Sequence, residues 1–307
     1  MGFAFRQASP PFEETLNKAD FPTAAQYAAA NALGKAQSLA QATMAHGGAR
    51  GMPVIVASDT VVALPASELG AAASASGDAP WGGKLAMCGR WAVLEKPTSP
   101  EQAVRMLEAL GGRRHVVLTA VAVASPAGTE AAAADAVAGA GLLSGEPDAA
   151  AHGPHAASAG GEGQGAAVSG ADDEFPTPGV VFRATASAMA RRVSNAGAYI
   201  GRSDSMGDEA AAAVGAALGS GSAPPCAVAV HASVVWFSRV SEAVAEAYVA
   251  TGEPLDKAGS YGIQGMGGSL VTRLDGDFHS VMGLPMALTA ALLRPFVEDP
   301  AADAGAR

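Results

Sequence analysis

The chain has 307 residues and a mass of 30.2 kDa, with 49% hydrophobic, 5% aromatic and 16% charged residues, a length that holds one large domain or two ordinary ones. Lys plus Arg number 19 against 29 Asp plus Glu, a formal charge of −10, so bulk electrostatics repel a nucleic acid strand and a polyphosphate ligand needs a local cluster of cations or a metal. No stretch approaches the ~18 consecutive apolar residues of a membrane span, Met1 opens on no secretory leader, and two cysteines, Cys88 and Cys226, make no disulfide framework, so the sequence reads as cytoplasmic.

Taken in chain order, the alanine-rich stretch from Thr23 to about Met44, carrying Tyr27, Leu33 and Leu39, suits a helix. Pro53 to Leu64 is a continuous β-branched apolar run, the pattern of a strand buried on both faces. A biased stretch at about 65–90 reads as an insertion. Ser99-Pro100-Glu101 then supplies an N-cap, a proline at the first helical position and an early acid, ahead of Ala103, Met106, Leu107 and Leu110; Gly111-Gly112 ends that helix. His115 to Val123 and Val228 to Phe237 read as strands. Between them, residues 124–227 are read as a second, largely disordered insertion. From Ala124 to Thr177 the only aromatic is Phe175 and there is no Lys or Arg, so little apolar surface is available to offset ~1–2 kcal/mol of ordering cost per residue. Val180 to Val193 is the exception, a candidate short helix. A helix from Ser241 to about Ala250 follows. Leu270–Leu274 and Phe278–Met282 flank Asp275-Gly276, the signature of a β-hairpin. The alternation predicts an α/β fold around a mixed sheet with flanking helices, a single domain over 1–307 with a flexible tail at 294–307.

Two places carry candidate chemistry. Asp59 lies inside an apolar strand run, where an unpaired carboxylate is costly, so it needs a metal, a nearby lysine or a structural partner in the fold. Gly252 to Gly265, GEPLDKAGSYGIQG, is a run of polar groups and glycines between a helix and a strand, suited either to backbone contact with a ligand or to an ordinary structural loop; it has no Walker-type spacing. His115 and His279 read as structural histidines, and Trp236 and Phe237 as core.

GEPLDKAGSYGIQG followed by GDFHSVMGLP, together with ASDTVV, EKP, the helix SPEQAVRMLEALGGRRHVVLT and LGKA, closely resembles the Maf family of nucleoside triphosphate pyrophosphatases, in order and in spacing. The resemblance covers about residues 2–63, 91–123 and 230–293, and DKAGSYGIQG is similar to the branch that hydrolyses dTTP and UTP. It implies a two-lobed, inosine-triphosphatase-like fold with a central cleft and release of a nucleoside monophosphate and pyrophosphate. It also implies a divalent cation, Mg²⁺ or Mn²⁺, a nucleoside triphosphate as partner, and the homodimer common in the family. By position it makes Asp59 metal ligand and general base, and Glu14 the second metal-site acid. Lys35 and Lys96 become phosphate contacts with Thr60 beside them, and Gln264 a catalytic glutamine near the attacking water. Two departures accompany it. Family members open with a strand and a Ser-x-Ser-Pro-Arg-Arg phosphate loop ahead of the segment matching Gly2-Phe3, so the resemblance implies an N-terminally incomplete enzyme or, as the alternative, a catalytically weak nucleotide-binding relic. Glu95 replaces the usual glycine before Lys-Pro and is expected to weaken Lys96.

Overall fold

The computed structural model describes residues 5–46, 53–69, 77–141, 143, 175–186 and 224–297. Seven strands form one sheet: β1 (Ile55–Pro65), β2 (Met87–Cys88), β3 (Trp91–Leu94), β4 (Arg114–Ala124), β5 (Gly179–Thr185), β6 (Cys226–Phe237) and β7 (Val271–Asp275). Their order is β2-β3-β1-β4-β6-β5, with β7 also on β6, and each of these pairings is antiparallel. The expected alternation of strands and flanking helices is present, but the sheet expected to be mixed has only antiparallel pairings among the described residues. Among the described residues six α-helices accompany the strands: α1 (Ala24–His46), α2 (Pro100–Leu110), α3 (Glu130–Gly141), α4 (Glu242–Val249), α5 (Phe278–Met282) and α6 (Met286–Val297). Among the described residues, no helix is long and apolar enough to cross a membrane.

Both faces of the sheet are covered, which is why β1, β4 and β6 read as predominantly apolar runs. On one face lies α1, with Ala28, Ala29, Ala32, Ala36 and Ala40 against Val61, Ala63, Val116, Leu118, Val228 and Val230. Small side chains let that helix approach the strands closely, so the alanine that weakens a compositional argument for a core supplies one here. The opposite face is divided. Near the β1–β4 centre, α2 and α4 cover Val62, Leu64, Val117 and Val235, and further along α3 and α6 cover Val121, Val123, Ala227 and Ala229. In α2 the buried set is Ala103, Met106, Leu107 and Leu110, one face of a 3.6-residue repeat, and Ser99 caps the helix by accepting from the Gln102 amide at 3.2 Å. Burial of each large member contributes roughly 1.5–3 kcal/mol.

Four expectations are corrected. Residues 124–227 are not uniformly without structure, because α3 buries Ala133, Ala136 and Ala140 on one face against Leu288 and Leu292 of α6. A helix of alanines needs few large side chains of its own when its neighbours provide the bulk. The segment assigned to a short helix from Val180 begins instead as β5, paired with β6 from Ala227 to Ala232, and Cys226 opens β6. Within 65–90, Ala79 and Trp81 are buried in the core and β2 adds to the sheet. Positions 70–76, 142, 144–174, 187–223 and 298–307 lie outside the described residues, as do the corresponding parts of the expected insertions and tail; α6 itself runs through 294–297. The fourth correction is the hairpin. Its first arm is β7, but Phe278–Met282 is helix α5, started by Asp277, whose carboxylate accepts from the His279 amide at 2.7 Å. The left-handed Gly283, φ 110°, ends that helix, its amide donating back to the His279 and Ser280 carbonyls, while β7 pairs with β6 over Val234–Phe237.

Ala136 is fully buried between α6 and the sheet, so Ala136→Asp is expected to destabilise the fold by about 2–4 kcal/mol, the penalty of a buried group without partners. Urea denaturation of parent and variant reads it directly; equal midpoints would mean that α3 contributes nothing to the domain.

Candidate active site

Strand β3 pairs with β1 only from Val62 to Pro65, so the preceding residues of β1 present an edge that no described strand covers. Around that edge opens a cleft of about 560 Å³, lined by α1, the β3 exit, the 256–264 loop and the end of α5, with Glu14 at its rim. Asp59 and Thr60 are neighbours on the strand and therefore face opposite sides of the sheet.

Asp59 faces α1. Lys35 and Asn31 stand one helical turn apart on that helix, and both reach the same carboxylate. Lys35 Nζ donates to Asp59 Oδ1 at 2.7 Å and to Glu14 Oε1 at 3.0 Å, while Asn31 Nδ2 donates to Asp59 Oδ2 at 3.4 Å. Burial raises the Asp59 carboxyl above its ordinary range, with the Glu14 charge adding to the rise and Lys35 and Asn31 working against it. At Lys35 burial disfavours the ammonium, but the two carboxylates outweigh it and hold its pKa above the usual lysine value. The lysine named by the sequence as one way to satisfy Asp59 is thus its partner. On the other face, Thr119 Oγ1 donates to the Ser280 carbonyl at 2.7 Å, which leaves it to accept from Thr60 Oγ1 at 3.0 Å. Thr60 lines the cleft with its proton engaged, joining β1 to β4 and α5.

Lys96 and Gln264 stand exposed at the same cleft, and among the described residues Lys96 makes no ion pair. Glu95 does not turn on it. The Glu95 carboxylate pairs with Lys18, whose ammonium also lies 5.1 Å from the centre of the Tyr27 ring. The carboxylate expected to weaken Lys96 is thus engaged by a second lysine. Lys18 carries no sequence signal for this role, whereas Asn31, four residues before Lys35 and 1% exposed, could have been found from helical spacing.

The 252–265 run owes its shape to a left-handed pair, Gly259 at φ 67° and Ser260 at φ 61°. A Cβ at Gly259 would press on the Val62 side chain, so glycine lets the loop lie directly on β1. The turn drives Tyr261 into the core, where its hydroxyl meets His115 Nε2 at 2.8 Å and its ring packs edge to face with His115 and Phe237. Burial pushes the His115 pKa down to about 3. His115 and Phe237 are structural, as their flanking residues suggest; Trp236 is only half-buried, with the Arg273 guanidinium 4.5 Å from its ring centre.

Glu14, Lys35, Asp59, Thr60, Lys96 and Gln264 thus come from separate parts of the chain to one cleft. The family described as Maf-like protein matches residues 1–140 and 204–296, which include all six. The chain belongs to the Maf family. It is 58% identical over 62 residues to a dTTP/UTP pyrophosphatase of Vibrio cholerae, covering 20% of this chain and 33% of that protein. To a nucleoside triphosphate pyrophosphatase of Haemophilus ducreyi it is 57% identical over 65 residues, 21% of this chain and 33% of the relative. A dTTP/UTP pyrophosphatase of Methylobacillus flagellatus gives 54% over 67 residues, 22% and 34%. The aligned stretch spans about a third of the length of these curated relatives.

Proposed function

We propose that this Maf-family chain hydrolyses nucleoside triphosphates, dTTP and UTP foremost, to the nucleoside monophosphate and pyrophosphate. The observation that carries the reading is the Asp59–Lys35–Glu14 cluster at the wall of a cleft that Lys96, without an ion pair among the described residues, also lines. Such a cluster combines a carboxylate of raised basicity with cations able to take phosphate oxygens, and the names of the relatives point to the same chemistry. It also supports an enzyme over a nucleotide-binding relic, since binding alone does not need a buried carboxylate.

The residues present fit a hard divalent cation. Asp59 and Glu14 offer carboxylate oxygens, Asn31 Oδ1 is buried without a hydrogen-bond partner, and Mg²⁺ is commonly held by one or two carboxylates while keeping waters and taking phosphate oxygens. Bound there, Mg²⁺ or Mn²⁺ would neutralise charge on the triphosphate. The chain's own residues supply the rest. Asp59, kept from solvent and raised in pKa, orients a water and accepts its proton as the water attacks the α-phosphorus. Lys35 holds both carboxylates and Lys96 takes a phosphate oxygen. The Gln264 amide can donate to a phosphate oxygen or accept from the water, and Thr60 keeps free lone pairs toward the cleft.

The experiment is a steady-state assay of pyrophosphate release from dTTP, UTP, CTP, ATP and GTP with Mg²⁺. Turnover of dTTP and UTP above the others supports the reading, and no release from any of them contradicts it. In the same assay Lys96→Ala is expected to raise KM for dTTP about 10- to 100-fold, since a charge-assisted contact is worth ~1.5–3 kcal/mol. An unchanged KM would remove Lys96 from the phosphate site.

A further inference from the structure

One carboxylate outside the Asp59 cluster organises the segment that carries Gln264. Glu253 Oε1 accepts from the Tyr248 hydroxyl at 2.7 Å and from the Gly267 amide at 3.2 Å, and Oε2 accepts from the Met266 amide at 2.9 Å. The same Tyr248 oxygen accepts from the Gly262 amide at 3.0 Å. The bonds therefore bracket Gln264 from both sides, at residue 262 and at residues 266–267. A Cβ on Gly265 would collide with the Glu253 carboxylate, so the chain between the anchors is drawn tightly over that one group. Burial opposes the charge on Glu253, but the Tyr248 hydroxyl and the two amides outweigh it and hold its carboxyl below the usual range. It is consequently an acceptor throughout the neutral range. Behind it, Lys257 Nζ donates to the Glu253 carbonyl at 2.9 Å, tying the start of the loop to the cleft wall.

We infer that Glu253 is a positioning residue which, with Tyr248, holds the 262–267 backbone so that Gln264 stands at the cleft in advance of substrate. It rests on the pyrophosphatase reading for its effect on rate, and it touches neither substrate nor reacting atoms. A glutamine placed by a free loop would have to be ordered in each turnover, and misplacement by ~1 Å costs on the order of 10²-fold in rate.

The test uses the full chain and the variants Glu253→Ala, Glu253→Gln and Tyr248→Phe, with dTTP and UTP in Mg²⁺, beside amide hydrogen exchange of residues 262–267. Glu253→Ala is expected to lower kcat about 10- to 100-fold with KM changed by less than about threefold. Glu253→Gln keeps one acceptor oxygen, enough for Tyr248 and Gly267, and should recover part of the loss; Tyr248→Phe should lose rate in the same way. The Met266 and Gly267 amides should exchange faster in Glu253→Ala while the rest of the sheet keeps its protection. Unchanged kcat in Glu253→Ala, or equal losses in the Ala and Gln variants, would overturn the inference. Should the parent release no pyrophosphate, the pyrophosphatase reading fails by itself, and exchange decides the remaining question: faster exchange at 266–267 upholds the clamp, and unchanged exchange removes it.

Discussion

Asp59→Asn is expected to reduce pyrophosphate release from dTTP by ~10²–10⁴-fold or more, the range for losing a general base that also serves a metal site. The substitution is close to isosteric. An asparagine still accepts from Lys35 through its oxygen, and Lys35 keeps its contact with Glu14 at 3.0 Å, so the fold should survive. What disappears is the negative charge and the proton-accepting capacity at Asp59, whose side chain is only 10% exposed at the cleft. The thermal transition of the variant, measured beside its rate, separates the two effects. A variant that turns over dTTP at the parental rate would show that another group activates the water.

The second large effect is on stability in acid. His115 is fully buried, and its pKa falls from about 6.5 to about 3 through burial. A group whose folded pKa is depressed in this way stays neutral in the native state while the unfolded chain takes up a proton. As pH falls below 6.5 the unfolded state therefore binds more protons, and stability declines by about 1.4 kcal/mol per pH unit until the folded pKa is reached. His115→Gln removes that group. It weakens the aromatic contact with Phe237 and Tyr261, so the variant should be less stable at pH 7, yet its stability should fall less steeply between pH 6.5 and 4. His231, also depressed by burial with Asp277 opposing, is present in both proteins and leaves the difference to His115. Urea denaturation across that range gives the result, and parallel curves for the two proteins would contradict it.

How much of this could be read from the sequence differs by element. Helix α2 was legible to its ends because Ser99, Pro100 and Gly111 each act within one turn, and β1, β4 and β6 because strands covered on both faces are predominantly apolar. Helix α3 and strand β5 were not. Their stability comes from α6 and β6, far away in sequence, and nothing in Ala133, Ala136 or Ala140 announces those partners. Likewise Phe278–Met282 reads as the second arm of a hairpin, whereas the Asp277 cap and the left-handed Gly283 close it as a short helix. For the site, residue chemistry alone led to Asp59 and the glycine-rich loop. Family resemblance added Glu14, Lys35, Lys96, Thr60 and Gln264, which the fold brings to one cleft. Lys18 and Glu253 stayed hidden because ion pairs and loop clamps depend on distances that spacing does not encode.

Mass spectrometry of the products formed from dTTP and Mg²⁺ in ¹⁸O-enriched water tests whether water attacks the α-phosphorus of a nucleoside triphosphate at Asp59. The expected products are dTMP carrying one ¹⁸O and unlabelled pyrophosphate, both reduced in Asp59→Asn in proportion to its lost rate. Inorganic phosphate with dTDP, or label in the pyrophosphate, would rule that attack out.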